Sequence, residues 1–163
     1  MKLFKLLVPL LMFPFSPYAQ SFEERPVENF LTLSAFSSVG EFEQYIDTYV
    51  QDCLDHSYGG SLSVRCFIRY EVWDRELNNY YRRLYRSLSV DGKERLKNSQ
   101  LSWLKTRDTA IEFNSFLLDQ RYKNKSGTMY IAMRAGDADQ AISPMIKHRA
   151  LLLKSWLAVQ GEH

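Results

Sequence analysis

The stretch YEVWDRELNNYYRRLYRSLSVDGKERLKNSQLSWLKTRD, residues 70–108, decides the fold. In its first half, Tyr70, Trp73, Leu77, Tyr81, Leu84 and Leu88 recur in alternating steps of three and four. That spacing predicts an amphipathic helix with a coiled-coil-like seam, ending near Ser89. Asp91-Gly92-Lys93-Glu94 then reads as a capping box. It opens a second helix carrying Leu96, Gln100, Trp103, Leu104, Ile111, Phe116 and Leu117 towards Tyr122. So short a connection makes the two helices antiparallel neighbours.

Outward from this hairpin the pattern stays helical. Residues 41–55 place Phe42, Tyr45, Ile46, Tyr49 and Val50 on one helix face, and Gly59-Gly60 then breaks the chain. After the polar break Lys123-Asn124-Lys125-Ser126-Gly127, a last helix runs from Thr128 to about Val159. Gly136 and Pro144 should weaken or kink it. No segment alternates apolar and polar residues long enough for a strand. The expected fold is all-α, a small helical bundle built on a long antiparallel helical hairpin.

The chain has 163 residues, 21 Lys+Arg, 19 Asp+Glu, three His and two Cys, which suits one globular domain. Met1–Ala19 has a basic start (Lys2, Lys5), an apolar run from Leu6 to Phe15 and a polar exit, the layout of a secretory signal peptide cut after Ala19. Residues 20–40 read as a loosely ordered acidic lead-in and 41–160 as the helical domain. Without Lys2 and Lys5 the bases and acids balance, which gives no reason to expect nucleic-acid binding. No later segment is apolar enough to cross a bilayer. The expected location is the bacterial periplasm or the outside. There Cys53 and Cys66, with twelve residues between them and on either side of Gly59-Gly60, should form a disulfide.

The hairpin allows one geometric expectation. With the turn centred near 90.5, opposed residues sum to about 181, so Asp74 meets Arg107, Leu77 meets Leu104, Asn78 meets Trp103 and Tyr81 meets Gln100. Such a set is either a buried polar layer that fixes register or a binding site opening on that layer. In the first case removing Asp74 would strand a buried Arg107.

These residues carry a family likeness. Cys53 and Cys66, then Trp73-Asp74-Arg75-Glu76-Leu77-Asn78, Tyr81 and Leu84, then Gln100, Trp103, Arg107-Asp108 and Arg149, resemble the lysozyme-inhibitor LprI-like family of small exported bacterial proteins over about residues 50–157. The resemblance implies an all-helical envelope domain that inhibits lysozyme. Many members carry a further cysteine after the Arg-Asp pair, where this chain has Thr109-Ala110-Ile111-Glu112.

No nucleophile, phosphate-loop, dinucleotide or zinc motif occurs, and His56, His148 and His163 have no ligand spacing. Asp137 and Asp139 read as acids favouring a helix start near Gly136 rather than as a glycosidase pair. The expectation is therefore a protein that binds rather than turns over substrate, with no cofactor or metal and with a protein partner such as a lysozyme. An envelope or immunity-type protein with another secreted partner is the first alternative, and a wall-active enzyme the second.

Charge placement offers candidate surfaces. Residues 20–55 hold eight acids against one base, and residues 79–107 eight bases against two acids. The two regions could be solvated faces or attract each other within the fold. Alternatively Glu41, Glu43 and Asp47 could face a basic partner, or Arg82, Arg83 and Arg86 anionic envelope material.

Overall fold

The computed structural model describes residues 22–57 and 59–161, so the expected signal peptide lies outside the described residues. The described chain forms four α-helices: α1 Val39–His56, α2 Arg69–Ser87, α3 Val90–Tyr122 and α4 Thr128–Val159. Two 3-10 segments, Val27–Asn29 and Leu33–Ala35, precede α1, a third, Gly60–Cys66, joins α1 to α2, and no strand occurs among the described residues. The all-α helical bundle holds.

The starts of α1 and α3 have a local cause. Ser38 caps α1 by accepting from the Glu41 N–H (3.1 Å), while Glu41 Oε2 accepts from the Ser37 N–H (3.0 Å). The cap of α3 lies earlier than the capping-box reading placed it. Ser89 accepts from the Gly92 N–H (3.3 Å), and Asp91, already helical, pairs with Arg95 at 2.8 Å. The turn is therefore only Leu88-Ser89. Nor is α4 broken, for it runs on through Gly136 and Pro144. Gly136 serves packing: a Cβ there would lie 2.9 Å from the Phe67 ring.

The largest packing interface joins α2 to α4. Its anchor spans 69 residues, because Asp139 Oδ1 in α4 accepts the Tyr70 N–H in the first turn of α2 (2.9 Å). The acid does favour a helix start, but that of α2, where four N–H groups lack intrahelical partners and the dipole attracts negative charge. Asp137 is likewise in mid-helix, accepting from the Tyr122 hydroxyl at 2.7 Å. From the Asp139 anchor α2 and α4 run in parallel. Val72, Trp73, Glu76, Leu77, Tyr80 and Leu84 of α2 are buried, together with Ile142, Ile146, Ala150, Leu153 and Leu157 of α4. The buried stripe of α2 is thus rotated from the expected seam towards Val72, Glu76 and Tyr80.

α1 covers the other side of this pair. Phe42, Ile46, Tyr49, Val50 and Cys53 are buried, and the Phe42 and Trp73 rings meet edge-on at 5.2 Å. Cys53 and Cys66 form the expected disulfide, with Cα atoms 5.5 Å apart. It ties α1 to the 3-10 segment that packs along α4.

The lead-in is more firmly held than its composition suggested. Phe30 and Leu33 are buried in the core. Arg75 of α2 donates to the carbonyls of Val27 and Phe30 (2.7 Å each) and Leu31 (2.9 Å), and pairs with the fully buried Glu76 at 2.8 Å.

Burial pushes the Asp139 carboxyl above its ordinary pKa, even though the Tyr70 N–H and Arg69 pull it down. The folded state therefore holds this proton more tightly than the unfolded chain, and stability falls as pH rises through the window between the two values. Asp139→Asn should lose that dependence. Melting scans from about pH 4 to 7 should show wild type losing ground against the variant as pH rises.

Candidate functional site

α3 takes the long way round. It packs antiparallel along α4, where Arg149 reaches Gln100 (3.0 Å) and Ser99 (3.1 Å), Arg134 reaches Asp119 (2.7 Å), and Arg121 reaches Asp137 (3.1 Å). Against α2 it makes little direct contact. Since α2 is drawn onto α4, the two arms of the expected hairpin diverge. Between them opens a groove of about 410 Å³, lined by Asp74, Leu77, Asn78, Tyr81, Lys97, Gln100, Leu101, Trp103, Leu104 and Arg107.

Every residue expected to form the inter-helix layer lines this groove, yet the layer itself is not closed. Asp74 and Arg107 form no ion pair. Asp74 accepts instead from Asn78 Nδ2 one turn on (2.8 Å), and Arg107 binds its neighbour Asp108 (2.6 Å). The expected buried register device is absent because the helices that would bury it lie apart. Asp74, Tyr81, Gln100, Trp103 and Arg107 are half-buried, while Asn78 and Asp108 are exposed. Partial burial works against the Arg107 charge. The Asp108 hydrogen bond and the fields of Tyr70, Asp108 and Asp74 outweigh it and leave its pKa raised.

Behind the wall stands Arg149, only 6 % exposed. Its guanidinium lies 5.8 Å from the Trp103 ring and 5.3 Å from the Trp156 ring, and its hydrogen bonds go to the neutral Gln100 and Ser99. No carboxylate lies within 4 Å of it among the described residues. Burial therefore lowers its pKa, offset in part by Tyr81. On the groove side, Arg107 lies 5.7 Å from the same Trp103 ring. Trp103 thus contacts two cations, which helps to fix the ring and the Gln100 amide beside it.

The acidic candidates are committed elsewhere. Glu41 belongs to the α1 cap, Glu43 pairs with Lys147, and Asp47 pairs with Arg69 at 2.8 Å. Glu43 and Asp47 are therefore matched inside the fold by Lys147 and Arg69, not by the basic hairpin. Arg82 and Arg86 are exposed on α2 and Arg83 is half-buried, all of them outside the groove. Three residues went unremarked as anchors in the sequence: Arg69, Arg75 and Asp139. The partners that make them anchors lie 22 to 70 residues away, and no local pattern signals them. Among the described residues no cluster of three or more His, Cys, Asp or Glu could hold a metal, and no helix is long and apolar enough to cross a membrane.

Because Arg149 has no carboxylate partner, replacing it by a flexible apolar side chain strands no counter-charge. Arg149→Met should keep stability within about 1.5 kcal/mol of wild type, or raise it. It should also free Trp103, shifting its fluorescence and loosening the groove wall. A loss of about 3–5 kcal/mol in urea unfolding would instead mean that a buried ion pair had been broken.

Comparison with known proteins gives one match. No curated protein and no solved structure matches the chain. The family model of lysozyme inhibitor LprI matches residues 61–150, from the 3-10 segment through both walls of the groove to Arg149 and Ala150. That is more than half of the 163 residues, and the chain belongs to the LprI lysozyme-inhibitor family.

Proposed function

We propose that the protein is an exported inhibitor of lysozyme, working in the periplasm or outside the cell by binding the enzyme and carrying out no reaction of its own. The groove between α2 and α3 is its docking face. One observation carries this reading: Asp74, Asn78, Tyr81, Gln100, Trp103 and Arg107 are gathered on an open groove rather than sealed between helices. Residues needed only for register would be closed off from solvent. Here a carboxylate, two amides, a phenol and a guanidinium are presented along one cleft. That mixture can satisfy the backbone and polar side chains of a partner protein. The fixed Trp103 keeps the wall in place before binding, which lowers the ordering cost of association.

Membership of a lysozyme-inhibitor family supports the choice of partner. The amino-terminal layout supports export, and the disulfide suits an oxidising compartment.

The purified protein should inhibit at least one of a c-type, a g-type and an i-type lysozyme in a dose-dependent way, and should leave cell walls intact on its own. Failure to bind or inhibit any of the three would end this reading. Asp74→Ala with Asn78→Ala should weaken inhibition at least tenfold. Their hydrogen bond is an exposed contact one turn apart, so the melting temperature should move little, on the order of a 1 kcal/mol change. Protein recovered from the periplasm or medium should have an intact mass lacking residues 1–19.

A further inference from the structure

The turn between α3 and α4 lies well beyond the start of α2. Asp139 meets the first turn of α2, so the eleven residues of α4 before it extend about 16 Å beyond the start of α2. The last turns of α3 run beside them. On one flank this two-helix arm is buttressed by the Gly60–Cys66 segment. A Cβ on Gly60 would sit 2.7 Å from Thr128 Oγ1, and one on Gly136 would meet the Phe67 ring. The disulfide from Cys66 to Cys53 anchors that buttress to α1.

The charge on the arm is one-sided. From Gln120 to Gly136 there are four bases, Arg121, Lys123, Lys125 and Arg134, and no acid. The acids that bracket the stretch neutralise the two arginines, since Arg121 binds Asp137 and Arg134 binds Asp119. That leaves Lys123 and Lys125 exposed at the tip, with no carboxylate within 4 Å among the described residues. Lys125 stands 5.1 Å over the Tyr130 ring, which holds it against the arm. Below the tip, Phe116, Leu117, Met129 and Met133 are exposed, residue types that enrich the centres of protein interfaces.

We infer that this arm enters a partner's cleft, and that Lys123 and Lys125 meet carboxylates lining it. The inference rests on the inhibitor reading and names its occluding element. A muramidase cuts its glycan with a pair of Asp or Glu side chains flanking the scissile bond, and a cleft lined by one sign of charge focuses its field outward. A narrow, stiff prong with two unpaired ammonium groups is complementary to that cleft, and the apolar shoulders cover its rim. A lipid surface fits less well. Membrane-seeking elements lead with apolar side chains, whereas this tip is Lys123-Asn124-Lys125-Ser126-Gly127 and its apolar residues lie behind it. The same partner can also reach the groove. Arg107 and Lys123 are sixteen residues apart on α3, about 24 Å, within the roughly 35 Å breadth of a globular protein of lysozyme size.

The test measures inhibition and Kd against the lysozyme that wild type inhibits, using a soluble oligosaccharide substrate. Lys123→Glu with Lys125→Glu should weaken both at least tenfold without changing the melting temperature, and Lys123→Gln with Lys125→Gln should weaken them by a smaller factor. Arg82→Glu with Arg86→Glu, the same change of charge on α2, should alter them less than threefold. A non-hydrolysable saccharide filling the cleft should displace the protein. If the double Glu variant inhibits within threefold of wild type, the arm is not the occluding element, although the inhibitor reading stands. Binding of the arm's lysines to phosphatidylglycerol vesicles, with lysozyme inhibition unaffected by their reversal, would likewise overturn it in favour of a lipid surface. If wild type binds no lysozyme, both inferences fall together.

Discussion

The Asp139 carboxylate on the Tyr70 N–H is the contact from which the rest of the arrangement follows. A helix start carries unsatisfied donors and a partial positive charge, and a buried carboxylate that meets them offsets much of its own desolvation. Here that exchange occurs between two helices far apart in sequence, and it sets their register. With α2 fixed at its first turn to the middle of α4, Val72, Glu76, Tyr80 and Leu84 turn inward. Asp74, Asn78 and Tyr81, on the flank away from that interface, are left facing α3. The groove is thus a consequence of where α2 is tethered. Its width is the space left when α2 follows α4 and α3 is held off by Arg149.

The helices were legible because their signals are local. Steps of three and four, a polar break at residues 123–127 and glycines at 59–60 mark elements by residues a few places apart, and the disulfide followed from compartment and spacing. What sequence could not yield was the choice of neighbour. Periodicity gives the width of an apolar stripe, not the helix that covers it, and α2 has apolar or packable side chains over more than half its circumference. The hairpin arithmetic correctly gathered one set of residues. It took closure for granted, because two helices joined by a short turn ordinarily pack on each other. A third helix with a better-placed acid outcompeted that arrangement. Phe116 and Leu117 failed for a related reason. Where α3 has only α4 beside it, the narrow stripe of Ile111, Leu118 and Tyr122 is enough, and the remaining apolar residues face outward.

Arg149 shows how a motif residue can act from behind a site. Buried without a counter-charge, it spends its hydrogen bonds on Gln100 and Ser99 and its cationic faces on Trp103 and Trp156. A burial of this kind stabilises little by itself. Its effect is geometric, since α3 cannot rotate without breaking two hydrogen bonds and the Trp103 ring contact at once. The groove wall is therefore rigid where Arg149 supports it.

The segregation of charge along the chain acquires a different meaning once the fold is known. The acidic segment and the basic hairpin do not neutralise each other. Glu43 and Asp47 of α1 are satisfied by Lys147 and Arg69, which lie outside the basic stretch, so these two acids are absorbed into the scaffold. Bases are paired as well, Arg95 with Asp91, Arg107 with Asp108, Arg121 with Asp137 and Arg134 with Asp119, but Arg82 and Arg86 remain exposed on α2, and Lys123 and Lys125 at the arm tip. Each ion pair removes one charge of either sign, so pairing leaves no net positive field, and what the fold produces is a local one at Lys123 and Lys125. For a protein meeting a strongly basic enzyme such a tip adds nothing to diffusional encounter at long range. The affinity must then come from short-range contacts, where the field of a carboxylate-lined cleft exceeds that of the enzyme's basic exterior and salt screens the exterior first. Two lysines on a stiff arm fit that division, because they act only after the rim has been crossed.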